Sequence, residues 1–246
     1  MSDTPAPLTL EIVSHCWNYS RLLTYQLSSL LLFSPRKVAV TMTVFYTEED
    51  AHSCRTLEYF GDQRAENVTW RWWPIDRQLL FRRSIGRNMA ALDTKADWVW
   101  FADCDEMFRE GCLDSLAEFL PAHTGPLVFP RCVNVTDHIR LDDPLLKRAE
   151  DGPAILGIDP ADFHPSLQEK AIGGIQIARG DVLRSIGYCN GRPKCLRPAR
   201  RMTRCREDTV FRRIIGTNGV PLDIPSLYRI THGNKGRSLF SWRWRL

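Results

Sequence analysis

Residues 98–108 read WVWFADCDEMF, an apolar run that ends in Asp103-Cys104-Asp105-Glu106. Two carboxylates one residue apart at a strand end project into a shared mouth. Hard divalent cations take oxygen ligands, and Mn²⁺ or Mg²⁺ typically uses one or two carboxylates plus phosphate oxygens. A metal held there would neutralise charge as a diphosphate leaves. Acidic residues also commonly end strands in solvated loops, so a D-x-D by itself leaves both readings open.

The preceding segment shifts that balance. Arg82-Arg83-Ser84-Ile85-Gly86-Arg87-Asn88 opens a helix shortly before the apolar run. A cationic helix start near a diphosphate would serve as an anion clamp through Arg83 or Arg87. The ordinary alternative is a solvated basic helix face.

These residues need a scaffold. Alternation and β-branched content predict a first strand over residues 8–13, a loop over 14–20 and a helix over 21–33. The helix is apolar but broken by Thr24, Gln26, Ser28 and Ser29, so it reads as buried rather than membrane-spanning. Strands follow over 38–46, 68–74 and 98–102, with helices ending near residue 60 and covering 84–92 and 111–120. This alternation implies an α/β fold with a mostly parallel sheet flanked by helices. Ligands in such sheets sit at the carboxyl ends of the strands, where the candidate residues fall. After Pro130 the pattern weakens, and residues 138–170, rich in Asp, Pro and Gly, read as a long excursion. A strand over 174–178, helices over 181–186 and 207–215, and a late strand over 226–230 complete the chain.

The run RSIGRNMAALDTKADWVWFADCDEMF resembles the core of the GT-A-fold glycosyltransferases, above all the family-two-like branch. There an Arg-Asn helix precedes an apolar strand ending in D-x-D. The resemblance implies a Rossmann-like sheet, a nucleotide-diphosphate sugar as donor (UDP favoured) and Mn²⁺ or Mg²⁺ as cofactor. It divides one domain into a donor half, residues 1–130, and a variable acceptor and catalytic half, residues 131–246. Ser14, after Ile12-Val13, is similar to the nucleoside loop. Glu48, in Tyr46-Thr47-Glu48-Glu49, lies where the family often has an acidic contact to base or ribose, although the usual Asp-Asp-Ser is missing. By the same resemblance Asp103 contacts ribose or metal, Arg83 and Arg87 support the diphosphate, and Asp105 with His232 binds the metal. Gly173-Gly174 is similar to the glycine-rich acceptor-side segment. Glu207-Asp208 resembles the family's Glu-Asp pair, in which the Asp is the general base of inverting members. An acceptor hydroxyl must lose its proton as it attacks, and a carboxylate at a helix N-terminus is fixed as the anion but made a weaker base. Helix-capping acids and an exposed loop histidine are the ordinary alternatives for these positions.

Composition narrows the class further. Of the 246 residues, 43% are hydrophobic and 25% charged, as in an ordinary globular protein, and a net charge of +4 does not by itself indicate a nucleic-acid binder. The polar first eight residues and the lack of a long apolar run suggest no signal peptide, a cytoplasmic location and at most peripheral contact with a membrane. Eight scattered cysteines read as reduced thiols; Cys189, Cys195 and Cys205 leave a structural zinc open. Basic residues concentrate over 192–206 and in Lys235, Arg237, Arg243 and Arg245, the last two interleaved with Trp242 and Trp244. That composition suits a glycolipid acceptor at a membrane interface, or DNA. The expected acceptor is a glycan or glycolipid first and DNA second. A non-catalytic nucleic-acid-binding module and a nucleotidyltransferase are the competing classes. The second lacks its glycine-rich loop, because residues 14–18 read SHCWN.

Overall fold

The computed structural model describes residues 7–202 and 205–233. The tryptophan-arginine tail and part of the basic stretch lie outside the described residues. The strands are β1 (Leu8–His15), β2 (Val38–Tyr46), β3 (Val68–Pro74), β4 (Trp98–Phe101), β5 (Glu106–Phe108), β6 (Leu127–Pro130), β7 (Cys132–Val135), β8 (His164–Leu167), β9 (Gln176–Arg179), β10 (Val220–Leu222) and β11 (Leu227–Arg229). The helices are α1 (Ser20–Leu32), α2 (Ala51–Gly61), α3 (Arg77–Leu80), α4 (Arg83–Asp93), α5 (Leu116–Phe119), α6 (Pro144–Lys147), α7 (Gly180–Ile186), α8 (Pro193–Leu196) and α9 (Glu207–Ile215).

Seven strands form the main sheet in the order β10-β6-β9-β4-β1-β2-β3. Its β4-β1-β2-β3 half is parallel throughout, and β9 runs antiparallel to both β4 and β6. This is the mostly parallel α/β sheet expected from the alternation of elements. A smaller four-stranded sheet, β5-β11-β7-β8, stands beside it.

β1 carries two residues more than its pattern suggested. Ser14 and His15, expected in a loop, remain in register with Val44 and Phe45 of β2 and are buried. A strand flanked on both sides continues for as long as its longer neighbour offers backbone partners. The helix expected over 111–120 shrinks to α5, because Gly111 takes a left-handed φ of +76° and the chain turns before it can coil.

α4 presses onto the ends of β1 and β2. A Cβ on Gly86 would strike His15 Nε2 and lie 3.0 Å from Phe45 Cγ, so only glycine lets the helix approach this closely. Beneath it His15, Phe45 and Trp73, opposite one another across three strands, stack at 5.0 and 4.8 Å between ring centroids. No helix among the described residues is long and apolar enough to cross a membrane.

Candidate functional site

The turn between β4 and β5 carries Asp103 and Asp105, and α1 holds it from below. Gln26 is fully buried on that helix. Its Nε2 donates to the Asp103 carbonyl at 2.8 Å, while its Oε1 accepts from Ser14 Oγ at 2.8 Å. Ser29, one helical turn on, accepts from the Phe108 backbone at 3.1 Å. Two of the polar residues that interrupt the apolar helix, Gln26 and Ser29, thus fasten the site. Ser14, expected at the nucleoside, is itself fully buried in this lattice.

Asp103 points the other way, into α4. Its Oδ1 accepts from Arg83 Nη1 at 2.7 Å and from Arg87 Nη2 at 3.2 Å. Burial opposes ionisation, but the two guanidinium groups outweigh it and hold the carboxyl below its ordinary range. The Arg87 side chain is only 1% exposed, with Tyr188 Oη at 3.0 Å as a further partner. Tyr188 Oη in turn donates to Gln176 Oε1 at 2.8 Å, and its backbone N–H is held by Asn88 Oδ1 at 2.9 Å. Arg83 is 29% exposed and reaches across to the start of α9, where its Nη2 lies 3.1 Å from Glu207 Oε1. Burial works to raise the Glu207 pKa, yet Arg83 and Arg87 bring it down to about 2.

Asp105 sits apart from the arginines. Its Oδ2 is 3.5 Å from His232 Nε2, and its Oδ1 is buried without a hydrogen-bond partner. The Ile230 backbone N–H donates to the Asp105 carbonyl at 2.9 Å, tying the end of β11 to the turn. Tyr19 packs edge-on against the His232 ring at 5.3 Å. No group of three or more His, Cys, Asp and Glu among the described residues is spaced to hold a metal ion, so Asp103, Asp105 and His232 do not converge as one ligand set. Asp105 and His232 have donor chemistry that would suit a divalent cation, with carboxylate Oδ2 3.5 Å from imidazole Nε2, and phosphate oxygens complete such sites.

Glu106 follows at once, fully buried, with neither carboxyl oxygen well hydrogen-bonded. Burial first, then the charges of Asp103 and Asp105, push its pKa well above the ordinary value. Gly174 passes so close that a Cβ there would strike Glu106 Oε1 and come within 2.6 Å of the Asp103 backbone nitrogen.

The remaining candidates separate. Glu48 is exposed in the turn after β2. The anchored acid of that region is Asp50, which sequence reasoning passed over. It is buried at the start of α2, and its Oδ2 accepts from Ser53 Oγ and the Asn18 backbone, each at 2.6 Å. Asp208 is half-buried in the first turn of α9, its Oδ1 accepting from Thr209 N at 2.9 Å. Cys205 Sγ lies 3.1 Å from Glu207 Oε2, and Cys189 and Cys195 are buried thiols; all eight cysteines are unpaired. A cavity of about 350 Å³ opens beside His232 and Gly233, walled by residues 138–142.

The sequence matches no protein-family model and no curated protein. Its fold is similar to that of S. aureus TarS residues 1–349. The TM-score is 0.58 at 12% identity to the complex with UDP-GlcNAc, over 93% of this chain and 60% of that one. Against the UDP complex it is 0.56 at 12% identity, over 91% and 61%. A further TarS 1–349 structure gives 0.53 at 14% identity, over 94% and 59%. The chain therefore spans about 60% of the length of the structures it resembles. At such identity the likeness is one of fold.

Proposed function

We propose that the chain is a metal-dependent glycosyltransferase that moves a sugar from a nucleotide-diphosphate sugar to an acceptor hydroxyl with inversion. The observation that carries this reading is the chain of charge from Asp103 through Arg83 to Glu207, which joins the end of β4 to the start of α9 at 2.7 and 3.1 Å. On this reading an anion-binding guanidinium stands where a donor half, residues 1–130, meets an acceptor half, residues 131–246. The likeness in fold to TarS bound to UDP-GlcNAc and UDP supports a nucleotide-sugar donor and favours UDP.

Arg83, partly exposed, is the residue that meets the diphosphate. Arg87 is too deeply buried to do so and instead positions Asp103. Asp105 and His232 would hold Mn²⁺ or Mg²⁺, which when bound neutralises charge on the leaving diphosphate. Glu207, held ionised at a pKa of about 2, is a poor base, so it orients Arg83. Asp208, next along the first turn of α9 and in no ion pair among the described residues, takes the acceptor proton. The acceptor is a glycan or glycolipid, with DNA second, approaching from the side of the cavity at His232.

Calorimetric titration with UDP-, GDP-, CDP- and dTDP-sugars, with and without Mn²⁺, tests the proposal. Metal-dependent binding of one of them is expected. Folded protein that binds none would overturn it.

A further inference from the structure

Residues 190–206 contain no Asp or Glu. Arg192, Lys194, Arg197, Arg200, Arg201 and Arg206 are all exposed, and none joins an ion pair among the described residues. Some exposed basic side chains elsewhere pair with acids, as Arg77 does with Glu49 and Arg131 with Asp223. The loop is also anchored. Ser84 Oγ donates to the Cys195 carbonyl, Arg82 Nε to the Arg197 carbonyl at 3.3 Å, and Ala199 N to the Gln78 carbonyl at 2.9 Å. Cys195 and Ala199 are buried beneath it. An anchored array of like charge without counter-charges repels itself, and an anionic partner relieves that repulsion.

The loop's composition selects among anionic partners. No aromatic residue occurs between Tyr188 and Phe211, so it offers no platform on which bases could stack. Its one helix, α8, is a single turn and cannot lay cations along a groove. What remains is attraction to a layer of phosphates, the property by which clusters of four to eight Lys and Arg bind anionic lipid. The chain also carries Trp242-Arg243-Trp244-Arg245, outside the described residues, and tryptophan favours the membrane–water interface.

We infer that the basic surface of residues 190–202, together with Arg206, docks on an anionic lipid surface. Arg206 adjoins Glu207, and the loop's anchors Arg82 and Ser84 flank Arg83, so docking brings that edge of the candidate site to the headgroups. The inference is independent of sugar transfer, because it concerns binding without donor.

Co-sedimentation of the full chain with phosphatidylglycerol–phosphatidylcholine vesicles, no nucleotide sugar present, tests it. Binding should be strong on the mixed vesicles, absent on pure phosphatidylcholine and lost as salt rises. The triple variant R197Q/R200Q/R201Q, with an unchanged melting temperature, should bind on the order of 100-fold more weakly. Equal binding by that variant would overturn the inference. So would a duplex DNA of matched charge that competes the protein off the vesicles at equal phosphate concentration.

Discussion

Arg83 Nη2 lies 3.1 Å from Oε1 of Glu207, a residue 124 positions later in the chain, while its Nη1 is committed to Asp103. One guanidinium thereby ties the end of β4 to the start of α9. A planar fork can grip two carboxylates at once and still present an edge to a phosphate; a lysine ammonium cannot hold that geometry.

Arg83→Lys is accordingly expected to fail as a conservative change. Turnover per KM should fall about 100-fold or more, with donor affinity weakened in calorimetry. Glu207→Gln should cost less, because Asp103 still holds Arg83. The pair also has a defined pH window. The Glu207 pKa is lowered from 4.5 to about 2. Its contribution to stability is therefore complete above the unfolded value of 4.5 and lost as pH falls from there through about 2. Melting curves between these limits should converge for wild type and Glu207→Gln. A gap that stays constant down to the acid end would count against the pairing.

Asp105→Asn and His232→Ala should each weaken Mn²⁺ binding by more than about 10-fold, the loss typical of even an outer-shell partner. Paramagnetic titration of free Mn²⁺ measures this without turnover. Asp103→Asn should alter metal affinity far less, because its Oδ1 is engaged by Arg83 and Arg87. If Asp103→Asn abolished metal binding while His232→Ala left it intact, the ligand pair would have to be redrawn.

How much of this was legible beforehand depends on whether the responsible contact was local. The parallel half was readable because β2 is a mostly buried β-branched run and β3 a β-branched and aromatic run ended by proline, and both appear at the expected bounds. α9 did too, with its acids at the first turn and Gly216 closing it in a left-handed conformation. β5, β6, β7, β8 and β10 escaped, being strands of three or four residues whose existence depends on partners far away in sequence. At the site, D-x-D and the Arg-Asn helix start marked the right region. The sequence did not reveal that Arg87 is buried under Tyr188, or that Asp50 rather than Glu48 is the anchored acid. Gln26 left a detectable signal, a large polar residue inside an apolar helix, but its partners Ser14 and Asp103 become apparent only in three dimensions.

Asp208→Asn separates the two acids of α9. Removing a general base typically costs 10²–10⁴-fold in turnover, and donor affinity should be unchanged. Glu207→Gln should show the opposite balance, with donor binding affected through Arg83. Single-turnover kinetics set beside calorimetry distinguish these patterns. A loss confined to donor binding in Asp208→Asn would remove it from the base role and leave it as a helix cap.

Glu106 provides a test on stability rather than turnover. The carboxyl is fully buried and poorly hydrogen-bonded, and its pKa is raised well above 4.5 by burial and by its acidic neighbours. A native group with a raised pKa holds its proton where the unfolded chain has released it. The native state is therefore progressively destabilised as pH climbs from 4.5 toward the raised value. Glu106→Gln copies the shape of the protonated acid and has no charge to bury. It should match wild type near pH 4 and exceed it increasingly as pH rises into the neutral range. Thermal unfolding across that range gives the difference directly. A gap that instead widened in favour of wild type as pH rose would mean that Glu106 is ionised and paired in the folded protein, and that Gly174 passes close for some other reason than to enclose a neutral acid.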